Sequence, residues 1–458
     1  MQYRIKPASG LAGSVRLPGD KSISHRYAMI ASVAEGTSRI ENYSSGADCQ
    51  STLGCMRALG IEIEKQDRTV TIHGQGLDGL RAPKETLDAG NSGSTIRMLS
   101  GMLAAQPFTS TIDGDESLSL RPMERIMTPL RQMGATLTAR DGKYPPLVIT
   151  GGRLQPIQYE PPVASAQVKT CVLFAGLHTA GVTSVVERVQ TRDHTEVALR
   201  EFGAEVERDG HIISIQGRPK LEARNLTVPG DLSSAAFFLV AANLFPGSRV
   251  IMEGVGLSPS RTQLIDWLLV AGAHVRVLDV GQQAGEMVGT ILVEGRPMEG
   301  GVIEGAMAAG LIDEIPVLAV LGAVSRQGLT VRDARELRVK ETDRIATVAD
   351  NMRRMGVEIS TTEDGFHIPG ASVFVPLRLI PSAIIASRWP LPWRVCEPTA
   401  KQSLTTPVPL PYPFQSSTPR SKRCGRRSVR SYNNGRAVCR STTRPFARRP
   451  GPRSQQRL

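Results

Sequence analysis

Four short clusters in this 458-residue chain combine cations, hydroxyls and carboxylates as the binding of a small polyanion requires. Asp20-Lys21-Ser22-Ile23-Ser24-His25-Arg26 sets a Lys, a hydroxyl and an Arg where a helix should begin. Free N–H groups and the helix dipole favour an anion there. Gly90-Asn91-Ser92-Gly93-Ser94-Thr95 is a small polar loop leading into a helix, where a ligand can approach the backbone closely. Ser119-Leu120-Arg121-Pro122-Met123 puts an Arg before a Pro that can open a helix. Asp313-Glu314 and Lys340-Glu341-Thr342-Asp343-Arg344 set carboxylates beside cations, and Lys340 and Arg344, one helical turn apart, are expected to share a face. Singly, each cluster has a plainer explanation: Lys-x-x-x-Arg is usually a solvated face, and Gly-Asn-Ser-Gly is usually a turn. Two look-alikes fail on context. Gly74–Gly79 matches G-x-G-x-x-G, but Pro83 follows soon and no helix opens at the glycines. Asp20-Lys21-Ser22 lacks the upstream glycine of a phosphate loop.

The elements that must position these clusters repeat along the chain. Met56-Arg-Ala-Leu-Gly60, Leu130-Arg-Gln-Met-Gly134, Leu199-Arg-Glu-Phe-Gly203, Leu268-Leu-Val-Ala-Gly272 and Met352-Arg-Arg-Met-Gly356 each end a helix on a glycine. An alternating apolar and polar segment follows each, as in a half-buried strand. The glycines are 74, 69, 69 and 84 residues apart, so one unit is about 70 residues long. A second repeat marks larger halves. Leu17-Pro-Gly-Asp-Lys-Ser22 returns as Val228-Pro-Gly-Asp-Leu-Ser233, each time between a strand-like segment and an apolar helical one, which suggests a duplicated domain.

Length suits two or three domains, and 40% hydrophobic with 21% charged residues is ordinary for a soluble globular chain. The longest apolar run, Ala235 to Phe245, is about half of what a membrane helix needs. Met1-Gln-Tyr-Arg-Ile-Lys6 lacks a signal peptide's apolar core, so the cytoplasm is expected and no membrane partner. Six cysteines without C-x-x-C spacing fit reduced thiols, and no segment has metal-ligand spacing. The net charge of +12 is misleading. Of 55 Lys and Arg, 17 lie from Ala371 onward with one acid, Glu397, leaving 38 basic and 42 acidic residues before it. The body is mildly acidic and is not expected to bind nucleic acid. Any anionic ligand must meet locally focused cations.

The order and wording of the clusters point further. Residues 17–26 and 90–97, Ser165-Ala-Gln-Val-Lys169, Thr191-Arg-Asp-His-Thr-Glu196 and Glu336-Leu-Arg-Val-Lys-Glu-Thr-Asp-Arg344 resemble, in order, the signature blocks of the 5-enolpyruvylshikimate-3-phosphate synthases. The Ser-Ala-Gln and Arg-Asp-His-Thr-Glu wording resembles the family's second class. The resemblance covers about 370 residues. It implies an α/β fold of two domains, each built from three βαβαββ units. The first domain would comprise 1–18 with 231–370 and be incomplete at its C-terminal end. The second would be 19–230, with the Pro-Gly-Asp segments as crossovers. It implies transfer of the carboxyvinyl group of phosphoenolpyruvate to the 5-hydroxyl of shikimate 3-phosphate by a monomer, with no metal or organic cofactor. Shikimate 3-phosphate would meet Lys21, Ser22, Arg26, Ser165, Ala166 through its backbone, Gln167, Asp313 and Lys340. Phosphoenolpyruvate would meet Lys21, Gly93, Arg121, Gln167 and Arg344, with Gly93 also against the inhibitor glyphosate. Glu341 is the candidate acid and Asp313 the candidate base, with Lys21 sharing proton transfer. The related UDP-N-acetylglucosamine enolpyruvyl transferases would instead read Lys-Asn at 21–22 and carry a reactive Cys near Arg121, yet no Cys lies between Cys55 and Cys171. A non-catalytic protein whose Arg-rich tail binds nucleic acid has no folded recognition motif to support it.

The family's late Gly-Asp-His-Arg-Ile-Ala-Met-Ala block is missing after Gly370, where an Arg- and Pro-rich tail follows. The composition of 371–458 predicts a largely disordered segment. Back-translating Ser382–Trp389 and reading from one base earlier gives Phe-Gly-Asp-His-Arg-Ile-Ala-Met, the missing block. A shift of frame between about Gly370 and Pro381 is the simplest cause. Resequencing codons 365–385 is expected to find one base lost, or two gained. Full rescue of an enzyme-deficient strain by the chain as written, on medium without aromatic amino acids, would show that the block was never needed.

Overall fold

The glycines that end the five repeated helices all take the left-handed backbone that such an ending needs. In the computed structural model, which describes residues 8–340 and 342–374, Gly60, Gly134, Gly203, Gly272 and Gly356 have φ of 91°, 104°, 98°, 95° and 80°. The residue after each glycine donates its N–H to a carbonyl five residues back: Ile61 to Met56, Ala135 to Leu130, Ala204 to Leu199, Ala273 to Leu268 and Val357 to Met352. The Arg in four of the copies has a shared task. Arg57, Arg131, Arg200 and Arg353 donate to the carbonyls of Ile63, Leu137, Val206 and Ile359, tying helix end to strand start. In the remaining copy Leu269 stands there and is exposed.

The units build five four-stranded sheets of one design, a parallel pair followed by two antiparallel neighbours. One unit runs strand Leu87–Asp88, helix Gly93–Leu103, strand Thr109–Asp113, helix Glu124–Gln132, then strands Thr136–Arg140 and Tyr144–Thr150. The segments 158–216 and 301–368 repeat this order. Two units take their first strand from far along the chain. Ala12–Arg16 pairs in parallel with Arg249–Gly256, and Asn225–Thr227 with Glu35–Glu41. The first helices of the units, Lys21–Ser32, Gly93–Leu103, Ala166–Leu177, Leu232–Leu244 and Ile315–Val324, are largely buried. Their side chains fill two hydrophobic cores, one from Ile23 to Val228 and one from Leu17 and the residues 232–368.

The chain passes between these cores twice, through the two Pro-Gly-Asp segments, which lie against each other. Asp20 N–H donates to the Pro229 carbonyl at 2.8 Å, and Asp231 N–H to the Pro18 carbonyl at 3.0 Å. A Cβ on Gly19 would sit 1.8 Å from the Asn42 carbonyl oxygen, so a side chain is excluded there. The buried Arg261 guanidinium lies beside the crossing, 3.5 Å from Asp20, 3.7 Å from Asp231 and 3.5 Å from Glu314.

Lys340 and Arg344 do not share a helix face. Lys340 is extended after the short helix Arg335–Val339, and Arg344 opens the helix Arg344–Arg354. The Asp343 side chain accepts from Ala346 N–H, and that cap stops the helix from running back to Lys340. Glu341 lies outside the described residues, as do the tail from Val375 and the Gly-Asp-His-Arg question. Just past Gly370, Ala371 and Ser372 donate to the carbonyls of Ser325 and Ala323. Among the described residues no helix is long and apolar enough to cross a membrane, and Cys49, Cys55 and Cys171 are free and buried.

Two glycines should respond differently to alanine. At Gly134 only backbone conformation opposes a Cβ, so Gly134→Ala should cost about 1–2 kcal/mol in denaturant unfolding. Gly19→Ala must displace the crossing itself and should cost more. A smaller loss at Gly19 would show that the crossing yields freely.

Candidate functional site

Three of the buried first helices open on a side-chain cap followed by a candidate ligand-binding residue. Asp20 accepts from Ile23 N–H and sets Lys21 in the first turn of Lys21–Ser32. Ser92 accepts from Thr95 N–H and sets Gly93 at the start of Gly93–Leu103. Ser165 accepts from Val168 N–H and sets Ala166 and Gln167 at the start of Ala166–Leu177. Each start offers unpaired N–H groups and the positive end of a helix dipole.

Charged side chains join these starts to the other hydrophobic core. Asp313 is the junction. Arg192 reaches its Oδ2 at 2.8 Å, Arg344 its Oδ1 at 3.2 Å, and Lys340 lies 3.9 Å away. Burial works to raise the Asp313 pKa, but Lys340, Arg192 and Arg344 outweigh it and hold the carboxyl well below the usual range. Lys340 is also 3.3 Å from Glu336. Lys21 pairs with Asp48 at 3.1 Å. Burial opposes its charge, yet Asp48 and then Asp313 hold its pKa above the ordinary lysine value. Lys21, on the 19–230 side, and Asp313 therefore sense one another.

A second group surrounds Gly93. Gln167 accepts from Arg97 at 2.9 Å and donates to Ser94 Oγ at 3.0 Å. Arg121 donates to the Asn91 side chain at 2.6 Å and to Ser117 at 3.1 Å. A Cβ on Gly93 would lie 2.8 Å from the Arg97 guanidinium and 3.4 Å from that of Arg121. Absence of a side chain keeps the space before both cations open.

Arg26 is buried and fully engaged. It donates to Thr195 at 2.6 Å, to Thr170 at 2.8 Å and to the Ser22 carbonyl at 2.8 Å. Lys169, inside the Ser165–Lys169 block, is a structural centre: buried, 2.9 Å from Glu187 and 2.7 Å from Glu196. It ties the helix Ala166–Leu177 to the 191–196 block that supplies Arg192 and Thr195.

Geometry thus gathers Arg192, Lys340 and Arg344 around Asp313, with Lys21 held by Asp48 within electrostatic reach, and Gly93, Arg121 and Gln167 around one loop. Ser22 meets Arg26 through its carbonyl, while Ser165 and Ala166 contribute a helix start. Sequence reading missed Asp48, Arg97 and Arg192. Both arginines stand inside the recognised blocks, but Asp48 carries no local signal, because only packing of Ala47–Ala58 beside Lys21–Ser32 brings it to Lys21. Among the described residues, Glu62, Glu64 and His73 could hold a metal ion. They meet by strand register rather than by local spacing, and both glutamates are exposed. The resulting site is rich in cations in a body that is net acidic. It can hold a small ligand with several negative groups, with ionised Asp313 as the acceptor at its centre.

Comparison with known proteins points one way. The sequence pattern of the family described as EPSP synthase (3-phosphoshikimate 1-carboxyvinyltransferase) matches residues 5–387. A 3-phosphoshikimate 1-carboxyvinyltransferase of Solibacter usitatus is 63% identical over 374 residues, covering 82% of this chain and 88% of that protein. One from Koribacter versatilis is 53% identical over 369 residues, covering 80% and 86%. The solved EPSP synthase of Acinetobacter baumannii superposes with a TM-score of 0.73 at 44% identity, covering 81% of this chain and 84% of that one. The enolpyruvyl transferase NikO from Streptomyces tendae shares the fold, with a TM-score of 0.64 at 20% identity over 80% and 84%.

Proposed function

The chain belongs to the EPSP synthase family, and on that premise we propose how its residues carry the family's reaction. The enzyme transfers the carboxyvinyl group of phosphoenolpyruvate to the 5-hydroxyl of shikimate 3-phosphate, releasing phosphate, on the route to chorismate and the aromatic amino acids. Its fold is the two-domain enolpyruvyl transferase fold. We place the domain division at 1–18 with 231–370 against 19–230, a reading supported by the two hydrophobic cores and the paired crossings.

Shikimate 3-phosphate is held by Lys21, Ser22, Arg26, Ser165, Ala166, Gln167, Asp313 and Lys340. Phosphoenolpyruvate is held by Lys21, Gly93, Arg121, Gln167 and Arg344. The observation that carries this reading is the Asp313 cluster, where Arg192 from one side of the crossing meets Lys340 and Arg344 from the other. Two anionic substrates held together need cations from both sides. Addition moves a proton onto the methylene carbon and takes one from the 5-hydroxyl. The hydroxyl oxygen bonds to the adjacent carbon, and phosphate then leaves as the new methyl group gives up a proton. Glu341 is the acid in this scheme and Asp313 the base, with Lys21 sharing proton transfer.

A base held well below the usual carboxylate range is weak, and the substrates correct this. Their phosphates and carboxylates engage Lys340, Arg192 and Arg344, which removes the cause of the low pKa and raises Asp313 toward a useful basicity. A cytoplasmic monomer completes the reading, and the free, buried Cys49, Cys55 and Cys171 fit a reducing compartment.

In a frame-corrected enzyme, Lys21→Ala is expected to lower turnover of shikimate 3-phosphate and phosphoenolpyruvate, read as phosphate release, by orders of magnitude at unchanged circular dichroism. Near-parental turnover would refute the assignment. The acid limb of kcat is expected at higher pH than that of kcat/KM, because the first reports Asp313 among bound anions and the second Asp313 among bare cations. A kcat limb at or below the kcat/KM limb would remove Asp313 as the base.

A further inference from the structure

A buried chain of hydroxyls runs from the helix that carries Lys21 to the turn that carries Gly93. His25 Nδ1 is 2.6 Å from Thr52 Oγ1, Thr52 Oγ1 is 2.7 Å from Thr95 Oγ1, and Thr95 Oγ1 is 2.8 Å from Ser92 Oγ. All four side chains are fully buried. Ser92 is the cap that also accepts from Thr95 N–H at 3.0 Å. Thr52 lies one turn after Asp48 on the helix Ala47–Ala58, and Asp48 is the partner of Lys21.

The direction of the chain follows from counting hydrogens. Thr95 Oγ1 faces Ser92 Oγ, and 3.4 Å away the Asp48 carbonyl, which can only accept. Its one hydrogen goes that way. Thr52 must then donate to Thr95, and its own hydrogen is spent. Nδ1 of His25 is left as the donor to Thr52, which makes the ring a neutral Nδ1–H tautomer. Two further facts agree. Burial, then the Lys21 ammonium, pushes the His25 pKa down to about 3, so the ring stays neutral. Nε2 is buried with no hydrogen-bond partner among the described residues, so a hydrogen there would be an unpaired buried donor.

We infer that Thr52 is a positioning residue for phosphoenolpyruvate, locking the Ser92-Gly93 turn to the Lys21 helix through Thr95 and the Nδ1–H tautomer of His25. The inference rests on the reading that Lys21 and Gly93 both face phosphoenolpyruvate. One helix fixes both: Asp48 holds the Lys21 ammonium, and Thr52 sets the distance from that helix to the glycine turn. The shikimate 3-phosphate contacts of Arg26 and the Ser165 helix start do not pass through Thr52.

The test uses the full chain with Thr52→Val, which keeps the shape and removes the hydroxyl, and Thr52→Ser, which restores it. Thr52→Val should raise KM for phosphoenolpyruvate about tenfold while binding of shikimate 3-phosphate by calorimetry stays within about twofold, and Thr52→Ser should recover the parental KM. An unchanged KM in Thr52→Val, or equal weakening of both substrates, would overturn the proposal. Nitrogen shifts of 15N-histidine-labelled protein, assigned with His25→Gln, should show a protonated Nδ1 and an unprotonated Nε2 from pH 5 to 8. The opposite pattern, or an imidazolium, would overturn it. A full chain that does not turn over the two substrates, as loss of the Gly-Asp-His-Arg block predicts, leaves the positioning role to a structural readout. The positioning role is then still decided by hydrogen exchange of the Thr95 amide: at least tenfold faster in Thr52→Val than in Thr52→Ser supports it, and equal rates overturn it.

Discussion

The fold depends on burying charge where the chain crosses between its two cores. Two strands must be delivered to distant sheets, so two Pro-Gly-Asp segments share one narrow passage. Gly19 lets the backbones close, and each segment then uses its Asp to cap a helix, Lys21–Ser32 or Leu232–Leu244. Those carboxylates lie inside the protein and need a counter-charge. Arg261 supplies it to both, and to Glu314 beside the site's central Asp313. One cation against three carboxylates is not full compensation. Burial and then Asp20 push the Asp231 carboxyl up to about 7, while Asp20 is held well below its usual value because Arg261, His194, the Ile23 N–H and Arg192 together outweigh burial. The arrangement spreads the mismatch rather than removing it. Through Glu314 it also connects the crossing to the turn that carries Asp313.

The same economy of charge governs the site. A net acidic body attracts no polyanion at long range, so specificity must come from cations concentrated at helix starts. Those cations would repel one another if bare. Asp48 and Asp313 hold them apart in defined positions. Under the assignment proposed above, substrate groups take over from Asp313, which is ionised and engaged before binding and basic only afterwards.

How much of this was legible in the sequence depended on range. The five helix-ending glycines were readable because a left-handed residue after a helix all but demands glycine. The helix starts at Lys21 and Gly93 were readable for a similar local reason, a short polar segment before an apolar run. The borrowed strands were not: nothing near Ala12–Arg16 or Asn225–Thr227 says that their partners lie some two hundred residues away. The Lys340 and Arg344 spacing suggested a shared helix face, but the Asp343 cap broke the helix between them. Both still reach Asp313, so the two cations lie together without sharing a helix face. Asp48 and Thr52 were invisible because an Asp and a Thr four apart on a helix are ordinary until packing supplies His25, Thr95 and Lys21.

That last case shows how the repeated unit divides its labour. In the units around the core from Ile23 to Val228, the first helices are buried. Second helices of the same or a neighbouring unit support them from the side with a first turn or the residues just before it. Asp48 holds Lys21, and Thr195 holds Arg26. Arg121 precedes the helix Glu124–Gln132 and reaches the Asn91 turn. A cation on a buried first helix is therefore held by a polar side chain that packing, not sequence proximity, delivers: 27 positions on for Lys21 and 169 for Arg26. Repetition of the unit supplies the scaffold, and the residue standing in the supporting turn decides which first-helix cation it holds.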